Sequence, residues 1–433
     1  MALASGLGAC GGKDEHSGSA PDPGHSVRVT APQARAQEQR ILNQRVRAVR
    51  ERNLDLFLRH VDHDDRGLMS RQRRYFRNLV QLPWASFGYR VLEEQWPQVR
   101  AVPRWGDDVH IPRVELTTQL EGYDALPVKR TVGFVFSFEK GRATIVSDRT
   151  STGKPLFEGA PAPWDLTAIT VREQPGVLGI FDTRMRPSAG AVISAVGTGI
   201  GQMERALPFT WSGKVVVYSV QDPKVLASFT EVPGGSLDHL GALTFPTYAD
   251  ETGSRVASTR MLVLPSSVRA GQPFLGRIAR HELSHVALGV RDDGAPAWVS
   301  EGVAEYLGAR DIPQREQIIP TSALGRARTE DGGMPLSRAF NDTDQEWHYA
   351  LSWMACDYIA DAYGEARLWE LIAATHNAGE GTTDHRQDRV LRQVLGFDRR
   401  ELARRAATRI RNLSGGGSLG PGPGHVAGAR RRS

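Results

Sequence analysis

In the stretch His281-Glu282-Leu283-Ser284-His285, two imidazoles stand four residues apart with a carboxylate beside the first. On a helix, residues four apart lie one turn apart on the same face, so both rings can point at one metal ion. Glu282 then lies beside them, where its carboxylate can take a proton from a water that the metal activates. A motif this short arises by accident in roughly one chain in fifty of this composition, so charged decoration of a helix is the competing explanation. The neighbours Ile278, Leu283, Val286 and Leu288 are apolar, as a buried site helix requires.

Sixteen residues after His285 comes Glu301, embedded in "APAWVSEGVAEYLGAR". A turn at "RDDGAP" separates the two predicted helices, so Glu301 can fold back as a third ligand and leave the fourth position open. "HELSH" followed by "WVSEGVAEY" resembles the gluzincin metallopeptidases, specifically the bacterial peptidase-MA-like group with its W-x-x-E-G-x-A-x-Y signature. The resemblance covers residues 164–412. It implies a zinc-dependent enzyme that hydrolyses peptide bonds, with His281, His285 and Glu301 as zinc ligands and Glu282 as general base. It also puts Glu305 where such enzymes often keep an acid that accepts from a ligand histidine; an exposed glutamate is the alternative. Metal-bound imidazoles usually donate their free N–H in this way. A donor aimed at the oxyanion is expected from "EWHYALSWMACDYIADAYG", which offers His348, Tyr349 and Tyr358; Tyr349 is favoured. The family further implies that "STRMLVLP" forms a sheet edge along which an extended peptide substrate lies.

Several elements must position these residues. From Phe274 to about Asn412 the pattern is almost wholly helical, and before it run the strand-like segments "LTAITVRE", "VLGIFD", "KVVVYSV", "LGALTF" and "STRMLVLP", with a helix around "AGAVISAVGTGIGQMERAL". The glycines of "GTGIGQ" lack dinucleotide-fingerprint spacing and read as helix packing. Further upstream, residues 32–82 have helical periodicity through Ile41, Leu42, Val46 and Val49, then Leu54, Phe57, Leu58 and Val61. Antiparallel strands follow in "ASFGYRVLE", "RVELTTQL", "VGFVFSF" and "ATIVS", the last two joined by a turn at Glu139-Lys140-Gly141-Arg142. Helices followed by a meander give an α+β unit of residues 28–150, which in order and length resembles the cone-shaped nuclear-transport-factor-2-like (NTF2-like) fold. Residues 151–163, rich in Gly and Pro, read as a linker. The fold class is therefore α+β: an NTF2-like unit, then a metallopeptidase unit with a small mixed sheet and a mainly helical half.

At 433 residues, 40% hydrophobic and 24% charged, the chain has the make-up of soluble globular protein in more than one domain, and it has no apolar run near the ~18 residues of a membrane span. The net charge of +5 comes almost wholly from arginine, with six lysines among 54 basic residues. These arginines are scattered among acids with no aromatic-interleaved patch, which argues against a nucleic-acid partner. Two cysteines exclude a disulfide framework and a thiolate zinc cluster. Cys356, in an apolar helical run, reads as a buried inert thiol. Leu7-Gly8-Ala9-Cys10, followed by a polar tether to residue 27, resembles a bacterial lipoprotein lipobox. Its apolar part is short and lacks a positive n-region, so a truncated signal is expected. Residues 413–433 read as a Gly-rich basic tail.

The sequence thus leads to a zinc peptidase anchored at a bacterial cell surface through lipid on Cys10, with secreted or cytoplasmic placement if the lipobox is accidental. Two other functions remain: a surface binding lipoprotein with a non-catalytic peptidase-like scaffold, and an intracellular zinc hydrolase acting on something other than a peptide. The intact Glu282 argues against the scaffold. Cleavage specificity and oligomeric state are not readable.

Overall fold

In the computed structural model the helical periodicity of residues 32–82 becomes α1 (Ala31–Arg50), α2 (Leu54–Leu58) and α3 (Arg66–Leu79). The structure describes residues 29–97, 99–230, 232, 236–237, 240–329, 332–376, 384–414 and 427–428. Asn53 and Asp65 cap α2 and α3 by accepting from the backbone N–H three residues on.

The meander that follows contains β1 (Trp84–Gln95), β2 (Val109–His110), β3 (Pro112–Leu120), β4 (Val128–Gly133), β5 (Val135–Glu139) and β6 (Arg142–Ser147). "VGFVFSF" is not one strand. It breaks at the buried Phe134, so that β4 completes the sheet β1-β3-β4 while β5 pairs into β2-β5-β6. The turn between β5 and β6 has Lys140 and Gly141 at positive φ, as a tight two-residue hairpin needs. Arg45 fills the interior, its guanidinium 3.7 Å from the Phe57 ring centroid and 5.4 Å from that of Phe134. The segment read as a linker is packed: Leu156 is buried and Phe157 bridges Val132.

Next come α4 (Pro163–Leu166), β7 (Ile169–Gln174), β8 (Val177–Asp182), α5 (Ala189–Ala206), β9 (Val215–Ser219), α6 (Pro223–Leu226), β10 (Ala242–Tyr248) and β11 (Val256–Val263). The helical half holds α7 (Pro265–Ala270), α8 (Phe274–Leu288), α9 (Ala297–Ala309), α10 (Thr321–Arg326), α11 (Gln345–Tyr363), α12 (Glu365–Thr375), α13 (Asp384–Leu395) and α14 (Arg399–Ser414), and then the two-residue strand β12 (Ala427–Gly428). The strands form a mixed sheet in the order β12-β10-β11-β9-β8-β7.

Both faces of that sheet are buried, and the period-2 alternation divides its side chains between two cores. Val177, Phe181, Val215, Val217, Met261 and Val263 face the helical half, in a cluster with Leu283 of α8 and Trp298 of α9. Leu178, Ile180, Val216, Tyr218 and Leu262 face the other way, in a cluster with Phe57, Phe76 and Leu79 of the N-terminal helices. The architecture is α+β, with both halves of the chain packed on one shared sheet. "STRMLVLP" does not lie at an edge: β11 pairs with β10 on one side and β9 on the other. Its backbone bonds are spent within the sheet, so the expected peptide-accepting edge is corrected away from β11.

Candidate metal centre

Helix α8 carries His281, Glu282 and His285 across the inner face of the sheet, and three contacts fix its position. Gly199 of α5 has no side chain where α8 crosses it; a Cβ there would meet Leu283 Cδ1 at 2.7 Å. The Arg280 guanidinium donates twice to the Gly308 carbonyl at the end of α9, at 2.6 and 2.9 Å. Thr244 of β10 donates its hydroxyl to the main-chain carbonyl of Glu282 at 3.2 Å.

Helix α9 returns antiparallel after the turn. Trp298, 1% exposed, anchors it by donating Nε1–H to Gln387 Oε1 at 3.1 Å. Gly302 lets it approach α11 closely, because a Cβ there would meet the Ser352 carbonyl oxygen at 2.6 Å and Cys356 Sγ at 2.8 Å. This close approach is what brings Glu301 beneath the histidines.

His281, His285 and Glu301 form a group that could hold a metal ion. His281 Nε2 lies 3.2 Å from His285 Nε2 and 3.3 Å from Glu301 Oε2, and His285 Nε2 lies 3.5 Å from the same oxygen. Three donor atoms therefore converge on a point, two of them imidazole nitrogens facing each other. His281 is 1% exposed and Glu301 is 4% exposed, so water does not screen them. Burial disfavours ionisation of Glu301, yet the His285 and His281 rings outweigh it and hold its carboxyl well below the usual carboxylate range.

Glu282 is fully buried, and neither carboxylate oxygen has a hydrogen-bond partner among the described residues. Burial pushes its carboxyl up to about 6, against the pull of the two imidazoles. Glu305 is also buried, which removes the exposed alternative: its Oε1 lies 3.2 Å from His281 Nδ1, and its Oε2 accepts from Arg277.

Of the three aromatic candidates on α11, Tyr349 has its ring beside His281. Its ring centroid is 6.5 Å from that of His281, and its hydroxyl is 3.4 Å from Asn341 Oδ1. His348 turns Nδ1 to the Phe340 carbonyl at 3.0 Å, and the Tyr358 hydroxyl meets Arg405. Cys356 is buried, and burial pushes its thiol far up, in keeping with an inert packing role. Cys10 lies outside the described residues. Among the described residues no helix is long and apolar enough to cross a membrane.

Arg277 was not singled out from the sequence. The available signal was its place four residues before His281 on one face of α8, and its guanidinium stacks 4.8 Å from the Trp353 ring centroid. The chain matches no protein-family model and no curated protein.

Proposed function

We propose that this protein is a zinc-dependent peptidase. One observation carries the metal part of the reading, the spacing of the three donor atoms; the peptidase part rests on the resemblance of "HELSH" and "WVSEGVAEY" and on Glu282 beside the histidines. Zinc bonds of about 2.0–2.1 Å in a tetrahedron put neighbouring ligand atoms ~3.3 Å apart. The three separations here are 3.2, 3.3 and 3.5 Å. Two imidazole nitrogens and one carboxylate oxygen are a donor set suited to catalytic zinc, with the fourth position left for water or substrate. His281, His285 and Glu301 would hold the ion, which when bound polarises a carbonyl and acidifies water.

The remaining steps belong to the protein. Glu282 takes up a proton at its carboxylate and returns it to the leaving amine. Glu305 accepts from His281 Nδ1–H, which turns Nε2 toward the site. Tyr349 supplies an O–H donor for the developing oxyanion. An extended peptide is aligned by main-chain pairing with β10, whose outer side pairs only with the two residues of β12 among the described residues. Lipid on Cys10 would hold the enzyme at a bacterial cell surface. In that case Cys10→Ser, in a chain carrying a complete signal sequence, releases it from the detergent phase.

Metal analysis of the purified chain tests the reading. About one zinc per chain is expected, and His281→Ala, His285→Ala and Glu301→Ala should each strip it. Full zinc occupancy in Glu301→Ala would move the third ligand elsewhere and refute the assignment.

A further inference from the structure

A cavity of about 220 Å³ lies behind the metal-site helices, lined by Phe274 and Arg277 of α8, Trp353 of α11, and Ile312 and Ile318 from the chain between α9 and α10. His281, Glu282, His285 and Glu301 are not among its lining residues. One ion pair separates it from them. Glu305 Oε2 accepts from Arg277, while Glu305 Oε1 lies 3.2 Å from His281 Nδ1. His281 Nε2 is turned to Glu301 and His285, where the donor atoms converge. The cavity therefore meets the candidate metal centre from the rear, on the Nδ1 side of His281.

The size and lining select the occupant. Sites for drug-sized molecules run to ~300–1,000 Å³, whereas an apolar cavity of ~150 Å³ already holds a benzene ring. This one fits a single substituted ring. Arg277 is paired with Glu305, and the lining Glu316 is engaged by another group, so neither an anion nor a cation finds a free counter-charge. What remains is aliphatic and aromatic surface. Ile318, 42% exposed, stands on its solvent side and marks the way in.

We infer that this cavity is a regulatory site for a small neutral aromatic molecule, and that its occupant tightens the metal centre through Arg277, Glu305 and His281. The coupling rests on the zinc reading. The Arg277 side chain is 18% exposed, and its guanidinium lies 4.8 Å from the Trp353 ring centroid. A guest packed on the same wall removes water from the Arg277–Glu305 pair, and an ion pair in a lower dielectric is stronger. The firmer pair fixes the Glu305 carboxylate against His281 Nδ1, and the acceptor behind a ligand imidazole orients the ring for its metal. By linkage, zinc must tighten the guest by the same factor.

Binding is read first, by fluorine NMR on the full chain. 4-Fluorotoluene should bind saturably, and 4-fluorobenzoate, with the same ring and a charge, far more weakly. Ile318→Asp puts a charge on the exposed wall and should weaken 4-fluorotoluene at least ~10-fold. No saturable binding, equal binding of the two probes, or parent-like binding in the folded variant overturns the site. Zinc affinity is read next, in a competition titration with and without saturating 4-fluorotoluene. The probe should tighten zinc ~5- to 10-fold in the parent, at the low end of allosteric couplings because it firms an existing pair. Glu305→Gln, which does not line the cavity, should bind the probe as the parent does and lose most of that response. Zinc affinity left unmoved or weakened by the bound probe, or an equal response in Glu305→Gln, overturns the coupling while the zinc reading stands. A parent that takes up no zinc with or without the probe refutes the zinc reading, and the coupling falls with it.

Discussion

Two clusters of buried charge lie on opposite faces of the same sheet, and they are built to opposite rules. On the outer face, Arg260 of β11 meets Asp124 from the β3–β4 turn. The Asp124 carboxylate accepts from Arg260 at 3.1 Å, from the Ser258 hydroxyl at 2.7 Å and from the Leu120 amide at 2.8 Å, while Arg260 also donates to Tyr218. No atom of either side chain is left without a partner. On the inner face, neither oxygen of the buried Glu282 has a hydrogen-bond partner among the described residues, and Glu301 Oε2 meets the His281 and His285 imidazoles at 3.3 and 3.5 Å. A buried polar atom without a partner costs ~1–3 kcal/mol, more if charged. The outer cluster closes on itself and joins the two halves of the chain, whereas the inner one gathers His281, His285 and Glu301 into a group that could hold a metal ion.

The sharpest way to break this contrast is Glu282→Gln. Hydrolysis should fall ~10²- to 10⁴-fold with zinc retained. Activity equal to the parent would move proton transfer to another residue. Asp124→Ala should do the reverse. Removing one member of a buried pair strands Arg260 and should cost ~3–5 kcal/mol in urea unfolding, with zinc content of the folded fraction unchanged. A loss below ~1 kcal/mol would mean the pair behaves like an exposed one.

Between these extremes, Glu305→Gln and Arg277→Met should each weaken zinc binding by ~10- to 100-fold in a competition titration, because both orient His281 from behind. Arg277→Lys should recover part of the loss, and unaltered zinc affinity in all three would reduce the Arg277–Glu305–His281 chain to packing. The smallest effect is expected at His110, which Glu38 holds above the ordinary imidazole value against partial burial. A raised folded-state pKa stabilises fully below about pH 6.5, and the contribution fades as pH rises through the folded value. The stability gap between the parent and His110→Gln should therefore be wider at about pH 5.5 than at about pH 8.5. A gap independent of pH would discount the His110–Glu38 pair.

Local pattern carried much of this structure. The four-residue spacing of His281 and His285 fixed their common face, and α9 followed from the run around Glu301, because helical periodicity is a property of adjacent residues. The strand segments before α8 were legible for the same reason. The break at Phe134 was not: "VGFVFSF" alternates without a local signal, and only the curvature of two separate sheets splits it. Nor did "STRMLVLP" reveal that β11 is interior, since strand order depends on partners far away in sequence.

The sequence by itself determined which residues could bind a metal and which could move a proton, because spacing along a helix sets the direction of side chains. Only the tertiary structure decided that the Tyr349 ring lies beside His281, that Arg277 stands behind Glu305, and that Gly302 admits the backbone of α11. Each of these depends on how two helices distant in sequence cross, and a crossing is set by the shapes of both faces at once.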